Sequence, residues 1–178
     1  MVGGDFMDNK GTQHSVPTSA ATYIPKALGL RMRWDRDCMV AMRDGKSLCV
    51  DIYRPDAQGT YPALLAIAGH NKDLQNPEVA AAVPPQPAWS AVWQGGAEAG
   101  DSDYLVSHGY VHVVGNPRGF GKSEDGGSPE WDLYDLIEWI AVQPWCAGNV
   151  GMIGLSAYAL SQWQAAMLQP PHLKAIFP

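Results

Sequence analysis

Asn149-Val150-Gly151-Met152-Ile153-Gly154-Leu155-Ser156-Ala157-Tyr158-Ala159 is the stretch on which the reading of the fold turns. It opens with short apolar residues broken by glycine, a pattern that suits a buried strand closely approached by other backbone. It ends in Gly154-x-Ser156. From Tyr158 to Leu168 the period changes. Leu160, Trp163, Gln164 and Met167 fall at helical spacing, and Pro170-Pro171 stops the run. A strand that turns at a serine straight into a helix is the pattern of a nucleophile elbow. The turn lifts the hydroxyl clear of the sheet, and the helix N-terminus leaves amide N–H groups free to stabilise an oxyanion. Ser156 is therefore the candidate nucleophile. The bland alternative is a serine that caps a helix, which is common in any α/β protein. Gly154, with small Ala157 and Ala159 where the turn is crowded, favours the chemical reading. One departure stands out: the usual G-x-S-x-G has Tyr158 in place of its second glycine.

Working outward, the segments on either side alternate in period. Ser128-Pro129-Glu130 has a capping hydroxyl, a proline for the first helical position and an acid for the first turn. Leu133, Leu136, Ile137 and Ile140 then give a helical stripe that Pro144 ends. Upstream, Tyr110 to Val114 is apolar and reads as a buried strand, preceded by a helix from Asp101 that Gly109 stops. Tyr61 to Ile67 is another interior strand, and Leu173 to Phe177 a last one. Met39–Met42 and Leu48–Ile52 flank Asp44-Gly45, which predicts a hairpin with its tip at Arg43–Lys46. Residues 73–100 give no clear period beyond an irregular insertion with Trp89 and Trp93 that leads to a helix. The first residues are rich in Gly, Ser, Thr and Asn, with at most a helical turn from Thr22. The expected division is an irregular arm over 1–33 and a domain over 34–178. Strand and helix in alternation mean a parallel sheet covered on both faces.

Composition excludes several classes. The 178 residues, 46% hydrophobic and 17% charged, suit one globular domain. A net charge of −6 argues against nucleic acid or an anionic membrane as partner. There is no apolar run of membrane-spanning length and no signal-peptide pattern, and the three cysteines form no C-x-x-C pair, so a cytoplasmic protein is expected. No cofactor and no metal are expected. The glycine loop Pro117–Ser123 ends in Gly121-Lys122-Ser123, like a nucleotide-binding loop, but the required first glycine falls at Asn116. It reads instead as a tight strand-to-helix turn.

Several spaced motifs agree on a family. They are Met42-Arg43-Asp44-Gly45, Asp51-Ile52-Tyr53-Arg54-Pro55, Gly109-Tyr110, Pro117–Ser123, Ile137-Glu138-Trp139-Ile140-Ala141-x-Gln143-Pro144-Trp145 and Gly148–Ser156. In this order they resemble the N-terminal half of the catalytic domain of the Xaa-Pro dipeptidyl-peptidase-like hydrolases, a group that also contains cocaine esterase and the α-amino acid ester hydrolases. The resemblance runs from about Met39 to the C-terminus. It implies an α/β-hydrolase fold, truncated after the strand that follows the elbow helix and preceded by an antiparallel hairpin. It also implies Ser156 as nucleophile and the backbone N–H of Ala157 as one oxyanion donor. The family elbow reads G-x-S-Y-x-G, and here Ala157 and Ala159 stand at its tyrosine and second glycine. The family's second donor is a tyrosine hydroxyl in a Pro-Tyr-x-Lys loop. Gly69-His70-Asn71-Lys72 fills that place, so His70 becomes the candidate second donor.

In α/β-hydrolases the acid and the histidine of the triad follow the nucleophile. After Ser156 this sequence has no Asp or Glu, and His172 is its only histidine. A helix from Ala157 to about Gln169 rises roughly 20 Å and carries His172 out of reach of the serine. His14, His108 and His112 fit a loop, a helix end and a strand interior. Two functions stay open. One is a serine hydrolase that cleaves small-molecule acyl esters or Xaa-Pro-type amides through an acyl-enzyme, weak or inactive as this chain because the triad Asp and His are missing. The other is a catalytically silent remnant that binds a ligand or partner. An uncovered edge at Leu173–Phe177 predicts homo-oligomerisation.

Overall fold

The computed structural model describes residues 5–7, 13–15, 29–76, 78–79 and 98–178. Asp5–Met7 (β1) and Gln13–Ser15 (β2) form a separate antiparallel ribbon that pairs Phe6 with His14. The turn expected from Thr22 and the insertion with Trp89 and Trp93 lie outside the described residues.

The main sheet is built from Met32–Ala41 (β3), Ser47–Pro55 (β4), Tyr61–Ile67 (β5), Val111–Gly115 (β6), Cys146–Ile153 (β7) and Leu173–Phe177 (β8). Their order across the sheet is β3-β4-β6-β5-β7-β8. β3 and β4 form the hairpin expected around Asp44-Gly45, closed by Gly45 N–H to the Met42 carbonyl at 2.9 Å. β4 joins β6 antiparallel, and the pairs from β6 to β8 are all parallel. Both faces are covered, which is why β5 reads as an unbroken apolar run and β6 is broken only by His112. On one face, Leu48, Val50, Leu65, Val113 and Met152 pack with Leu136, Ile137 and Ile140 of the helix Asp132–Ala141. On the other, Tyr53, Ala66, Val114 and Ile153 pack with Leu105 and Val106 of the helix Ser102–Ser107. In chain order these helices are α1 (Ser102–Ser107), α2 (Asp132–Ala141) and α3 (Ala157–Leu168). None of the described helices is long and apolar enough to cross a membrane.

One local expectation is corrected. Ser128 does not cap a helix with its hydroxyl. A 3-10 turn over Pro129–Trp131 precedes α2, and the Ser128 N–H instead donates to Asp44 Oδ2 at 2.8 Å. Arg118 is the reason. Its guanidinium makes a two-pronged contact with both Asp44 and Asp132 at 2.7–2.9 Å, and donates to the Gly126 carbonyl as well. Such forks are the strong form of a charged hydrogen bond, and this one ties the hairpin tip to the start of α2. A Cβ on Gly127 would run into both the Asp44 carboxylate and Arg118.

α3 packs differently from α2. Its periodic residues Leu160, Trp163 and Met167 are exposed, whereas its buried face is Tyr158, Ser161, Gln162 and Ala165. The helical period is real, but this face is held by side-chain hydrogen bonds and small residues rather than by a large apolar stripe.

Buried charge control is visible at His112 in the interior of β6. Its Nε2 lies 2.9 Å from the Ala99 carbonyl and its Nδ1 2.9 Å from Ser102 Oγ. A carbonyl only accepts, so Nε2 carries the proton and Ser102 donates to Nδ1. Burial lowers the His112 pKa to about 4, against a smaller opposing effect of the Ala99 hydrogen bond. The unfolded chain therefore binds a proton near pH 6.5 that the folded one refuses, and stability falls as pH drops from 6.5 toward 4. Asp37 and Asp44, held below the usual carboxylate range by their lysine and arginine partners, stay charged through that window. Urea unfolding at pH 7 and pH 5 should differ by about 2 kcal/mol from this group, and His112→Gln should remove most of the difference.

Candidate active site

β7 ends at Ile153, α3 starts at Ala157, and three residues make the turn between them. Gly154 takes φ 127, and a Cβ there would meet the Cβ of Tyr158 at 2.5 Å and the Glu98 carbonyl at 3.1 Å. No other residue fits without moving the turn. Ser156 has φ 57 and ψ −120. Non-glycine residues avoid this region, and holding one there costs on the order of 1–3 kcal/mol. Ser156 is exposed and its hydroxyl makes no capping bond, which rules out the plain helix-cap reading.

The surroundings hold the turn from several directions. Leu155 N–H donates to the Glu98 carbonyl at 3.0 Å, and Tyr158 N–H to the Leu155 carbonyl at 3.0 Å. Gln162, fully buried, donates from Nε2 to the Gly154 carbonyl at 3.0 Å and accepts from the Phe177 N–H at 2.7 Å. One amide thus joins the turn to β8. Ala157 is the first residue of α3, so the helix leaves its N–H without a partner of its own. The positive end of the helix dipole points the same way.

His70 lies beyond the carboxyl end of β5, the parallel neighbour of β7. Its half-exposed ring stacks on Tyr158, two residues past Ser156, with centroids 6.0 Å apart. Its Nε2 is 3.7 Å from Glu98 Oε2, too long for a hydrogen bond. Glu98 in turn holds Leu155 through its carbonyl, so His70, Glu98, Tyr158 and the Ser156 turn form one neighbourhood, as expected for loops at the carboxyl ends of parallel strands. Tyr158 Oη and Glu98 Oε2 are both buried without a hydrogen-bond partner among the described residues. Burial, helped by the charge of Glu98, holds the Tyr158 phenol above its ordinary pKa. Beside this neighbourhood is a cavity of about 570 Å³, with Gly69, Ala157, Leu48, Leu133 and Leu160 among its walls.

Three further histidines are engaged elsewhere. His172 Nδ1 pairs with Glu138 Oε2 at 2.7 Å. It precedes β8, and the pairing of Leu173 with Val150 and Phe177 with Ile153 puts it at the far end of the strands from Ser156. His108 ends α1 and stacks on Tyr104. His112 is buried within the sheet, and His14 sits in β2. Among the described residues no group of three His, Cys, Asp or Glu side chains could hold a metal ion. Sequence reasoning missed Gln162 and Tyr158, which support the turn, and Lys72, which is buried behind His70. A glutamine and a tyrosine at the spacing of the buried helix face were the available signal for the first two.

A mixed sheet in this order, with a serine on a strained turn between a central parallel strand and a helix, defines the α/β-hydrolase fold. Within that class, the family model for X-Pro dipeptidyl-peptidase (S15 family) matches residues 44–178, and the chain belongs to that family. Cocaine esterase of Rhodococcus sp. (strain MB1 Bresler) is 41% identical over 145 residues, which are 79% of this chain and 22% of the esterase. A CocE/NonD family hydrolase from Staphylococcus aureus superposes with a TM-score of 0.67 at 34% identity, covering 82% of this chain and 27% of that one. An α-amino acid ester hydrolase shares the fold at a TM-score of 0.63 and 22% identity, over 92% of this chain and 28% of its own. The chain spans about a quarter of the length of these relatives.

The strain at Ser156 is directly measurable. Glycine adopts φ 57 and ψ −120 without penalty, whereas alanine does not. Ser156→Gly should be more stable to urea than Ser156→Ala by about 1 kcal/mol or more. Equal stabilities would mean that the serine is not held in this conformation.

Proposed function

We propose that this chain carries the nucleophile and oxyanion hole of a serine hydrolase acting on acyl esters, and by the same chemistry on Xaa-Pro-type amides. Ser156 Oγ attacks the carbonyl carbon, the tetrahedral oxygen takes hydrogen bonds from the Ala157 N–H and the His70 imidazole, and collapse expels the alcohol or amine to leave an acyl-enzyme. The observation that carries this reading is the backbone of Ser156, φ 57 and ψ −120 at an exposed strand-to-helix turn. Strain of this kind clusters at reactive residues. Kinship with hydrolases over residues 44–178 supports it.

The cavity adjoins both donor positions, since Ala157 and Gly69 belong to its walls. Leu48, Ile67, Leu133 and Leu160 line it, and the Arg118 and Asp132 charges at its margin neutralise each other. An apolar acyl or leaving group suits such walls.

A serine hydroxyl needs a base, and His108, His112 and His172 are committed elsewhere. Water must then take the proton, so the chain by itself should turn over slowly. Loss of the triad histidine costs on the order of 10⁶ in rate, with about 10³–10⁴ over water left from binding and the oxyanion hole. The commitment of His112 and His172 to partners away from Ser156 also favours a second reading, a silent scaffold that only binds.

Hydrolysis of an activated aryl ester separates the two. The expected result is a slow rate lost in Ser156→Ala and reduced about 10²–10³-fold in His70→Ala. A rate unchanged in Ser156→Ala would favour the silent scaffold. A rate typical of intact serine esterases would reveal a base within these residues.

A further inference from the structure

We propose that Lys72 is a positioning residue for His70, its buried ammonium locking the loop that presents the imidazole; this rests on the reading of His70 as an oxyanion donor. Lysines are almost never fully buried, yet Lys72 is 1% exposed. Its Nζ donates to Asp37 Oδ1 at 2.8 Å, Asp51 Oδ1 at 2.9 Å and Asp73 Oδ1 at 3.0 Å. Three protons meet three acceptors, so the ammonium is saturated. Burial works against its charge, but the three carboxylates outweigh burial and raise the pKa above the ordinary lysine value.

The three acceptors come from three places. Asp37 sits at φ 53 where the register between β3 and β4 breaks, Asp51 is buried in β4, and Asp73 belongs to the loop itself. Two of the acceptors are also held by contacts of their own. The Asp37 N–H donates to Asp51 Oδ1 at 2.8 Å, and Lys122 engages the other oxygen of Asp37. The same loop is gripped on its other side. Asn116 donates from Nδ2 to the carbonyls of His70 at 2.6 Å and Ala68 at 3.3 Å, and accepts the Lys72 N–H at 3.2 Å. Residues 68–72 are thus fixed at both ends, with only the His70 ring free to face Tyr158 and the serine turn.

Stability alone is a poor reason for this arrangement. Buried ionic clusters are often no more stabilising than apolar residues of the same volume, because desolvation offsets the attraction. What the cluster supplies is a rigid origin for one side chain. A donor displaced by about 1 Å loses much of its effect on the transition state, which can cost up to roughly 10²-fold.

The test is a double-mutant cycle read through phosphonylation of Ser156 by a fluorophosphonate, with kinact and KI resolved, alongside thermal melting. Lys72→Met and Asp73→Asn are each made in the His70 and His70→Ala backgrounds. Asp73→Asn removes one partly exposed negative charge while keeping a carbonyl acceptor, and keeps the assay usable if Lys72→Met does not fold. The expected result is a 10–100-fold fall in kinact with Lys72→Met, a smaller fall with Asp73→Asn, and KI little changed. Lys72→Arg, which keeps the charge, should recover part of the loss. In the His70→Ala background both falls should vanish while the drop in melting temperature persists. Equal losses of kinact in both backgrounds would overturn the positioning role and leave His70 as donor. An unchanged kinact in His70→Ala alone would overturn the donor reading and the positioning role with it.

Discussion

A serine held at φ 57 and ψ −120 is not a conformation that a chain adopts locally, and the centre of this structure is organised to hold it. Gly154 removes the side chain that would collide with Tyr158. The Glu98 carbonyl takes the Leu155 N–H, and Gln162 takes the Gly154 carbonyl. Tyr158, buried against Ile153 and Ala68, anchors the first turn of α3 on the α1 side of the sheet, whereas Ala165 packs on the other. Because Gln162 also accepts from Phe177, the turn is coupled to β8. The strain is sustained by long-range packing, which is what lets the Ser156 hydroxyl stand clear of its own helix.

Charge is used sparingly but at decisive places. Arg118 joins the hairpin tip to α2 and closes the glycine loop onto the sheet. Lys72 joins the loop after β5 to β3 and β4. Both ions are nearly excluded from water and saturated by carboxylates, the condition under which a buried charge is tolerable. Arg118 lines the cavity and Lys72 follows His70 in the loop after β5, so these loops are tied down by electrostatics, while the strands beneath them are held by apolar burial.

Much of this was legible in the sequence. The hairpin follows from Asp44-Gly45 between apolar runs, and the interior strands from the largely apolar runs at Tyr61–Ile67 and Val111–Val114. The turn at Ser156 follows from the change of period after Gly154. What failed were inferences from local chemistry to orientation. Ser128 looked like a cap, but Asp44, 84 positions away, claims its N–H. The spacing of Leu160, Trp163 and Met167 marked the helix but not its inward face, where Tyr158 and Gln162 are buried. The burial of Lys72 was not legible, because two of its carboxylates lie 21 and 35 positions upstream. Sequence distance hides such pairs, since nothing in the local pattern marks which aspartate faces which lysine.

The account depends on Ser156 being the reactive atom, and mapping a covalent adduct tests this without reference to turnover. Purified protein treated with a fluorophosphonate and analysed by peptide mass spectrometry should carry one adduct, on the peptide that contains Ser156, and none after prior denaturation. An adduct on another serine, or no adduct on the folded protein, would contradict the central claim.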